Sequence, residues 1–330
     1  MFTKRNREMS LFIVIFIICL VFIFGVSMEK ADAVQKISVA TGTAGGTWYP
    51  TGALWADLCN KKIPEIHIVA EVTSGSGENV RLIESKKIEL CYLNGLAAYW
   101  AWNGVKPYFE RKVSNLRSVF NAYGSTGHIV VLKRSKIRTW NDLAGKRIAT
   151  GSPTGNEDQY PRAVFKEYGF SDREIEEMAK KWVFLTFAEG VRAVKDGRID
   201  AAQVYAGMPN ATIMDIASTH DIDLIGLTED IQQRLVKKYP FFIAETIPAN
   251  TYKGVDRDVL VVSSSAAIFA EKDLSADIVY KITKTVHENI DTLAQGQQVF
   301  KQWKFNPDIG NLIPLHEGAK RYYKELGLLK

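Results

Sequence analysis

From Lys36 onward, short runs of β-type residues alternate with stretches whose apolar positions recur at helical spacing, the pattern of an α/β chain with parallel strands. ISVAT (37–41) precedes the helical TGALWADLCNKK (51–62), HIVAEVT (67–73) precedes ENVRLIESKK (78–87), and IELCYLNG (88–95) reads as a third strand. The arrangement returns further on, with KRIAT (146–150) before a helix expected from Asp158 to Tyr168, and IDAAQVY (199–205) before PNATIMDIAST (209–219). Ala40-Thr41-Gly42-Thr43 with Gly46 recurs as Ala149-Thr150-Gly151-Ser152 with Gly155, a self-similarity that fits two related lobes. Between and after these halves lie two extended stretches. RSVFNAYGSTGHIVVLK (117–133) reads as two β runs split by a Gly-Ser-Thr-Gly turn, and the region from Pro240 to Ala270 ends in VLVVSSSAAIFA; both are candidate crossovers between lobes. Near the end Ile278, Ile282, Val286 and Ile290 form one apolar helical stripe, the signature of core packing.

The first segment departs from this pattern. Lys4, Arg5 and Arg7 precede an apolar run from Leu11 to Val26, and a short polar stretch then ends in Ala31-Asp32-Ala33. A basic start, a short apolar run and a small-x-small site describe a secretory signal cleaved after Ala33, leaving a mature chain from Val34. An uncleaved N-terminal anchor is the alternative, and either places the body outside the cytoplasm. Cys19 lies inside the apolar run and lacks the setting of a lipidated cysteine. Cys59 and Cys91 remain; in an exported protein they have one way to pair, yet both sit in patterns that bury their residues, so free core thiols are an equal reading.

Composition adds exclusions. The chain has 330 residues, 46% apolar and 24% charged, which is ordinary globular composition and excludes collagenous, coiled-coil and disordered readings. A net charge of +5 from 42 basic and 37 acidic residues, without a dense basic run, argues against a nucleic-acid surface. The five histidines, His67, His128, His220, His287 and His316, show no metal-ligand spacing, and neither a G-x-S-x-G elbow nor a phosphate-binding G-x-x-x-x-G-K-[ST] is present. No metal, no cofactor and no enzymatic activity are therefore expected.

The candidate chemistry lies in four Gly/Ser/Thr-rich loops, each after an expected strand and before an expected helix: Gly42 to Trp48, Ser74 to Asn79, Gly151 to Asn156, and Ala206 to Asn210. At the carboxyl ends of strands in an open sheet, such loops meet ligands, and the unpaired amides of a first helical turn favour an anion. The same residue types are also preferred as helix caps and turn formers, so for any one loop both readings stand. With no basic cluster in the loops, a small carboxylate suits them better than a nucleotide. Glu78, Glu157 and Asp158 stand near helix starts, where the helix dipole accounts for them; one that faces a cleft would suit an ammonium group. Trp48, Tyr49 and Tyr205 are suitable walls for a carbon skeleton.

At these loops the chain resembles the TAXI family, the extracytoplasmic solute-binding components of TRAP transporters. The resemblance rests on GTAGGTWYPTG (42–52), SGSGENVRLI (74–83), DLAGKRIATGSPTGN (142–156), DGRIDAAQVYAGMPNA (196–211) and IPLHEGAKRYY (313–323), spread over nearly the whole mature chain. It implies an α/β, bilobed type II periplasmic-binding-protein fold, two α/β lobes joined by crossover hinge strands, with residues 1–33 as signal peptide, 34–126 and 258–330 as lobe I, and 127–257 as lobe II. It also implies a monomeric receptor, without nucleic acid, that closes on a small organic anion or amino acid of the glutamate, glutamine or 2-oxoacid class and delivers it to the membrane permease subunit of a TRAP transporter. The alternatives are a module of the same fold reporting to a membrane sensor, and an exported enzyme acting on a small acid. Carried over by motif, the ligand-binding residues are Gly42, Thr43, Gly46, Thr47, Trp48 and Tyr49 of the first loop; Gly75, Ser76 and Asn79 of the second; Asn94 at the third strand's end; Ser152, Thr154, Gly155 and Asn156; and Tyr205 with Gly207. The family commonly has two tyrosines where this chain has Trp48-Tyr49, and Pro153 and Asn156 depart from its glycine-serine-glycine loop.

Overall fold

The computed structural model describes residues 34–105, 109–152, 157–305, 307 and 313–330; the expected signal segment lies outside them. The chain separates at Gln35/Lys36, and the account below concerns Lys36–Lys330. Among the described residues no helix is long and apolar enough to cross a membrane.

The first part alternates as the pattern requires: β1 (Gln35–Ala40), α1 (Trp48–Lys62), β2 (Ile66–Glu71), α2 (Ser76–Glu84), β3 (Leu90–Asn94) and α3 (Gly95–Asn103). A long strand β4 (Leu116–Leu132) leads to β5 (Ile148–Ala149), α4 (Gln159–Glu167), α5 (Asp172–Ala179), α6 (Phe187–Lys195), β6 (Ala201–Ala206), α7 (Ala211–Thr219), β7 (Ile222–Leu224), α8 (Glu229–Lys238) and β8 (Ile243–Ile247). A second long strand β9 (Val259–Glu271) returns, followed by α9 (Ala276–Glu288), α10 (Ile290–Gly296) and α11 (Glu317–Glu325). Local chemistry sets several starts. Ser171 with Glu174, and Thr186 with Glu189, form reciprocal capping boxes at α5 and α6, satisfying donors a first turn leaves open.

One sheet runs through the structure in the order β2-β1-β3-β9-β4-β6-β5, with β7 added to β4 and β8 to β9. β1 pairs with β3, and β5 with β6, in parallel. The two long strands pair antiparallel with each other. Buried side chains form two clusters. One gathers β1, β3, the first half of β4 and the second half of β9 with α9 and α11. The other gathers the second half of β4, the first half of β9, β6 and the helices between them, together with Leu96 of α3. β4 and β9 are the strands that pass from one cluster to the other.

Two expectations are corrected. The Gly-Ser-Thr-Gly segment is no turn: β4 continues through it, with Gly124 opposite Ser265, Ser125 opposite Ser264 and Thr126 opposite Ser263 on β9. Its small residues answer a packing need, because a Cβ on Gly127 would lie 2.4 Å from Cζ of Tyr160, and glycine inside a strand often marks such a close approach. The apolar stripe also breaks. Ile278, Ile282 and Val286 are buried on α9, whereas Ile290 begins α10 after the chain leaves helical geometry at Asn289.

Candidate functional site

β1 and β5 each end in the Ala-Thr pair of the recurring motif, and the loops that follow face one cleft. It encloses about 460 Å³ of empty space, its mouth included, and Tyr123 from the first cluster and Phe187 and Tyr205 from the second all line it. It therefore lies between the two clusters. Its lining, mostly apolar with a few polar groups, has the make-up usual in a small-molecule pocket.

One wall is the loop before α1. Gly42, Thr43, Gly46, Thr47 and Trp48 line the cleft, and a turn from Thr43 to Gly46, closed by the Gly46 amide on the Thr43 carbonyl at 2.9 Å, folds the loop over the helix start. Thr47 stands at the N-cap of α1 and lines the cleft, and its side chain makes no capping bond to the helix. The Trp48 ring stacks on Tyr92 with centroids 5.6 Å apart. Ser74 and Gly75 extend this wall, Gly75 with φ of 112°, a conformation glycine adopts without steric cost.

Caps and site residues now separate. Asn94 lines the cleft with its backbone surroundings while its Oδ1 accepts from the Ala97 amide at 2.8 Å, capping α3. Asn79 does not line the cleft. Its Nδ2 donates to the carbonyls of Thr41 at 2.7 Å and Tyr92 at 2.8 Å, and its Oδ1 accepts from Thr73 Oγ1 at 2.7 Å, so this buried amide ties β1, β3 and the loop together. Ser76 is likewise buried behind the loop, its Oγ accepting the Asn94 amide at 3.2 Å. Tyr49 is part-exposed on the first turn of α1 away from the cleft lining, and Gly207 packs behind the Tyr123 ring. These four are not among the described residues that line the cleft. Thr154, Gly155 and Asn156 lie outside the described residues.

The opposite wall is built from Ser152, Glu157, Phe187, Tyr205 and Ala206. Gly151, at φ of +96°, turns the chain after β5, and Ser152 follows it, buried. Tyr205 Oη donates to Ser264 Oγ at 2.9 Å, so the crossover strand β9 holds this wall, and burial raises the phenol. Tyr123 of β4 lies between the walls, its phenol also raised by burial, with Tyr92 adding and Thr47 opposing. Sequence reasoning missed Tyr123 and Phe187. Nothing local marks them: one lies in the middle of a long strand, the other opens a capped helix.

Of the three acidic candidates, two are occupied locally. Glu78 accepts from the Ser74 amide and hydroxyl, each at 2.7 Å, and Asp158 pairs with Arg162 at 2.9 Å. Glu157 lines the cleft; its Oε2 is out of reach of solvent and has no hydrogen-bond partner among the described residues. Burial, with Asp158 beside it, pushes its carboxyl up to about 8. No Lys, Arg or His is among the described lining residues. Nor, among the described residues, does any group of three or more His, Cys, Asp or Glu side chains come together to hold a metal. Cys59 and Cys91 are free thiols, both buried.

The loop before α1 also touches the helices that flank the second cluster. Thr212 Oγ1 at the start of α7 donates to the Gly45 carbonyl at 3.3 Å, and a Cβ on Gly45 would lie 3.0 Å from that of Ala188 on α6.

A family model matches residues 39–327, nearly all of this unit. The chain belongs to the NMT1-like family. Solved structures similar to this NMT1-like chain share its fold at low identity. The alkanesulfonate-binding protein SsuA from Xanthomonas axonopodis pv. citri, solved bound to MOPS, is 14% identical over 91% of this chain and 96% of its own, with a TM-score of 0.51. A protein from Bordetella bronchiseptica RB50 is 14% identical over 89% of each chain, also with a TM-score of 0.51. The NMT1-like chain thus has the α/β, bilobed type II periplasmic-binding arrangement, and its cleft lies between two cores joined by β4 and β9.

Proposed function

We propose that this chain is an extracytoplasmic solute-binding protein of the TAXI type, which captures a small carboxylate or amino acid and delivers it to the ion-gradient-driven permease of a TRAP transporter. The observation that carries the reading is the cleft between two cores, walled by the glycine-rich loops that follow β1 and β5. In this reading lobe I comprises residues 34–126 and 258–330 and lobe II residues 127–257, with export through residues 1–33 and cleavage after Ala33. The ligand's carboxylate rests on the amides of the loop before α1 and on the hydroxyls of Thr43, Thr47 and Ser152. Each such contact contributes about 1 kcal/mol net. Micromolar affinity needs about 8 kcal/mol, so both walls must act together, and closure is part of binding. Support for a hinge comes from β4 and β9, where the small residues Gly124, Ser125 and Thr126 face Ser265, Ser264 and Ser263. The expected product of binding is a receptor state, without turnover.

The test is a thermal-shift screen of the purified protein against amino acids, 2-oxoacids, dicarboxylates and sugars, with product analysis on every hit. A ligand at a hundred times its dissociation constant adds about 2.7 kcal/mol of stability. Stabilisation by a small carboxylate or amino acid, recovered unchanged, supports the reading. A response to sugars alone, or conversion of the bound compound, overturns it.

A further inference from the structure

Among the described lining residues Glu157 is the only carboxyl, and no basic side chain answers it. Its Oε2 is shielded from solvent and has no hydrogen-bond partner among the described residues, a costly arrangement for a carboxyl, which is normally paired when taken out of water. The surroundings hold it there. Gln203 Nε2 donates to its backbone carbonyl at 2.8 Å, and the absence of a side chain at Gly151 makes room for the carboxyl, since a Cβ there would lie 2.9 Å from Oε2. The neighbouring cation is engaged elsewhere: Arg162 binds Asp158 at 2.9 Å and Glu176 at 2.7 Å. Across the cleft stand Thr47 and Trp48 at the start of α1, and the open amides of a first helical turn suit an anion. A molecule that satisfies both walls carries a carboxylate at one end and a cationic donor at the other. Trp48, Tyr123, Phe187 and Tyr205 leave an apolar space beside that axis.

Resting on the solute-binding reading above, we propose that Glu157 selects for a protonated amino group, so that this cleft takes zwitterionic amino acids with uncharged side chains and rejects their 2-oxo analogues. A dianion such as a 2-oxo dicarboxylate brings two negative charges to a cleft with one carboxyl and no lining cation, whereas an amino acid brings no net charge. Binding includes one proton step. The Glu157 carboxyl gives its proton to the solvent as the ligand's ammonium arrives, leaving a carboxylate against a cation. The other titratable groups in the lining, Tyr123 of β4 and Tyr205 of β6, are raised by burial and stay neutral, and Asp158 and Arg162 are held in their own pair. With the free carboxyl at about 8, roughly nine in ten molecules hold the proton at pH 7, so binding releases close to one proton.

The experiment is calorimetry of the purified protein at pH 7, in two buffers of different ionisation enthalpy, with L-alanine, L-serine, L-glutamine and L-phenylalanine, and with their 2-oxo analogues pyruvate, hydroxypyruvate, 2-oxoglutaramate and phenylpyruvate. The expected result is binding of at least one amino acid with about 0.9 proton released, and none of its 2-oxo analogue at the same concentration. Glu157→Gln, matched in size, should weaken that amino acid about 30-fold or more and abolish the proton release. A 2-oxo acid that binds as tightly as its amino acid overturns the selection by Glu157 while leaving a solute receptor in place. Amino-acid binding without proton release, or with affinity kept within threefold in Glu157→Gln, overturns it as well. No binding by any compound overturns this inference and the carboxylate reading together. The proton count on the unaltered protein decides the matter should the variant fail to fold.

Discussion

Gly127→Ala is the sharpest probe of the reasoning about the crossover strand. The new Cβ would lie 2.4 Å from Cζ, 2.6 Å from Oη and 2.8 Å from Cε2 of Tyr160. Ordinary contact begins near 3.4 Å, so the ring must retreat by about 1 Å. It has little room, because Trp140, Tyr205 and Phe242 surround it at centroid distances of 5.8, 5.3 and 6.2 Å. Overpacking of this kind costs about 1 to 3 kcal/mol, and replacing glycine within a strand returns about 0.5 to 1 kcal/mol. A net loss of about 1 to 2 kcal/mol is expected, read by urea unfolding with an unchanged m-value. Gly124→Ala is the internal control. Its Cβ would meet Ser263 Oγ at 3.3 Å, the end of a small side chain able to turn, so the change should stay within about 0.5 kcal/mol of zero. Tyr160→Leu combined with Gly127→Ala should show a favourable coupling, since the leucine removes the atoms in conflict. A Gly127→Ala protein as stable as the unaltered one, or less harmed than Gly124→Ala, would refute the packing account of the segment.

Three further outcomes are expected. His128 is buried, its Nε2 paired with Tyr252 Oη at 3.0 Å, and burial lowers it to about 4 against backbone carbonyls that raise it. The folded chain thus holds fewer protons there than the unfolded one, so stability is full above pH 6.5 and falls by up to about 3 kcal/mol as pH drops toward 4; His128→Leu should flatten that part of the profile in urea melts at pH 7, 6 and 5, and an equal slope in the variant would count against it. Burial pushes the Cys59 thiol up to about 12 and raises Cys91 further, so both should resist a thiol reagent in the native protein and react once it is denatured without reductant; their failure to appear then would mean that they are bridged. Gly45→Val should crowd Ala188 of α6 and weaken whichever ligand the screen finds by about tenfold, leaving the melting temperature of the free protein within about 2 °C; unchanged affinity would remove this loop-to-helix contact from the binding step.

The sequence by itself determined the alternation of strands and helices, because periodicity of apolar positions reports which face of an element is buried whatever it is buried against. It placed the loops after β1 and β5 through their repeated Ala-Thr-Gly pattern, and it named the three carboxyls near helix starts. Which residues share the cleft was decided only by tertiary structure. Thr47 and Asn79 are both polar residues of glycine-rich loops, yet the first lines the cleft while the second spends its amide on three partners from separate strands and loops. Tyr123 reaches the site from a strand whose glycines looked like a turn, because the ring that needs the space at Gly127 lies 33 residues away. Among Glu78, Glu157 and Asp158 the local sequence offers no distinction. Two find partners within four residues, and the third lines the cleft with its Oε2 buried and without a partner among the described residues. Hydrogen-bond satisfaction and burial belong to the assembled molecule, and a one-dimensional pattern does not carry them.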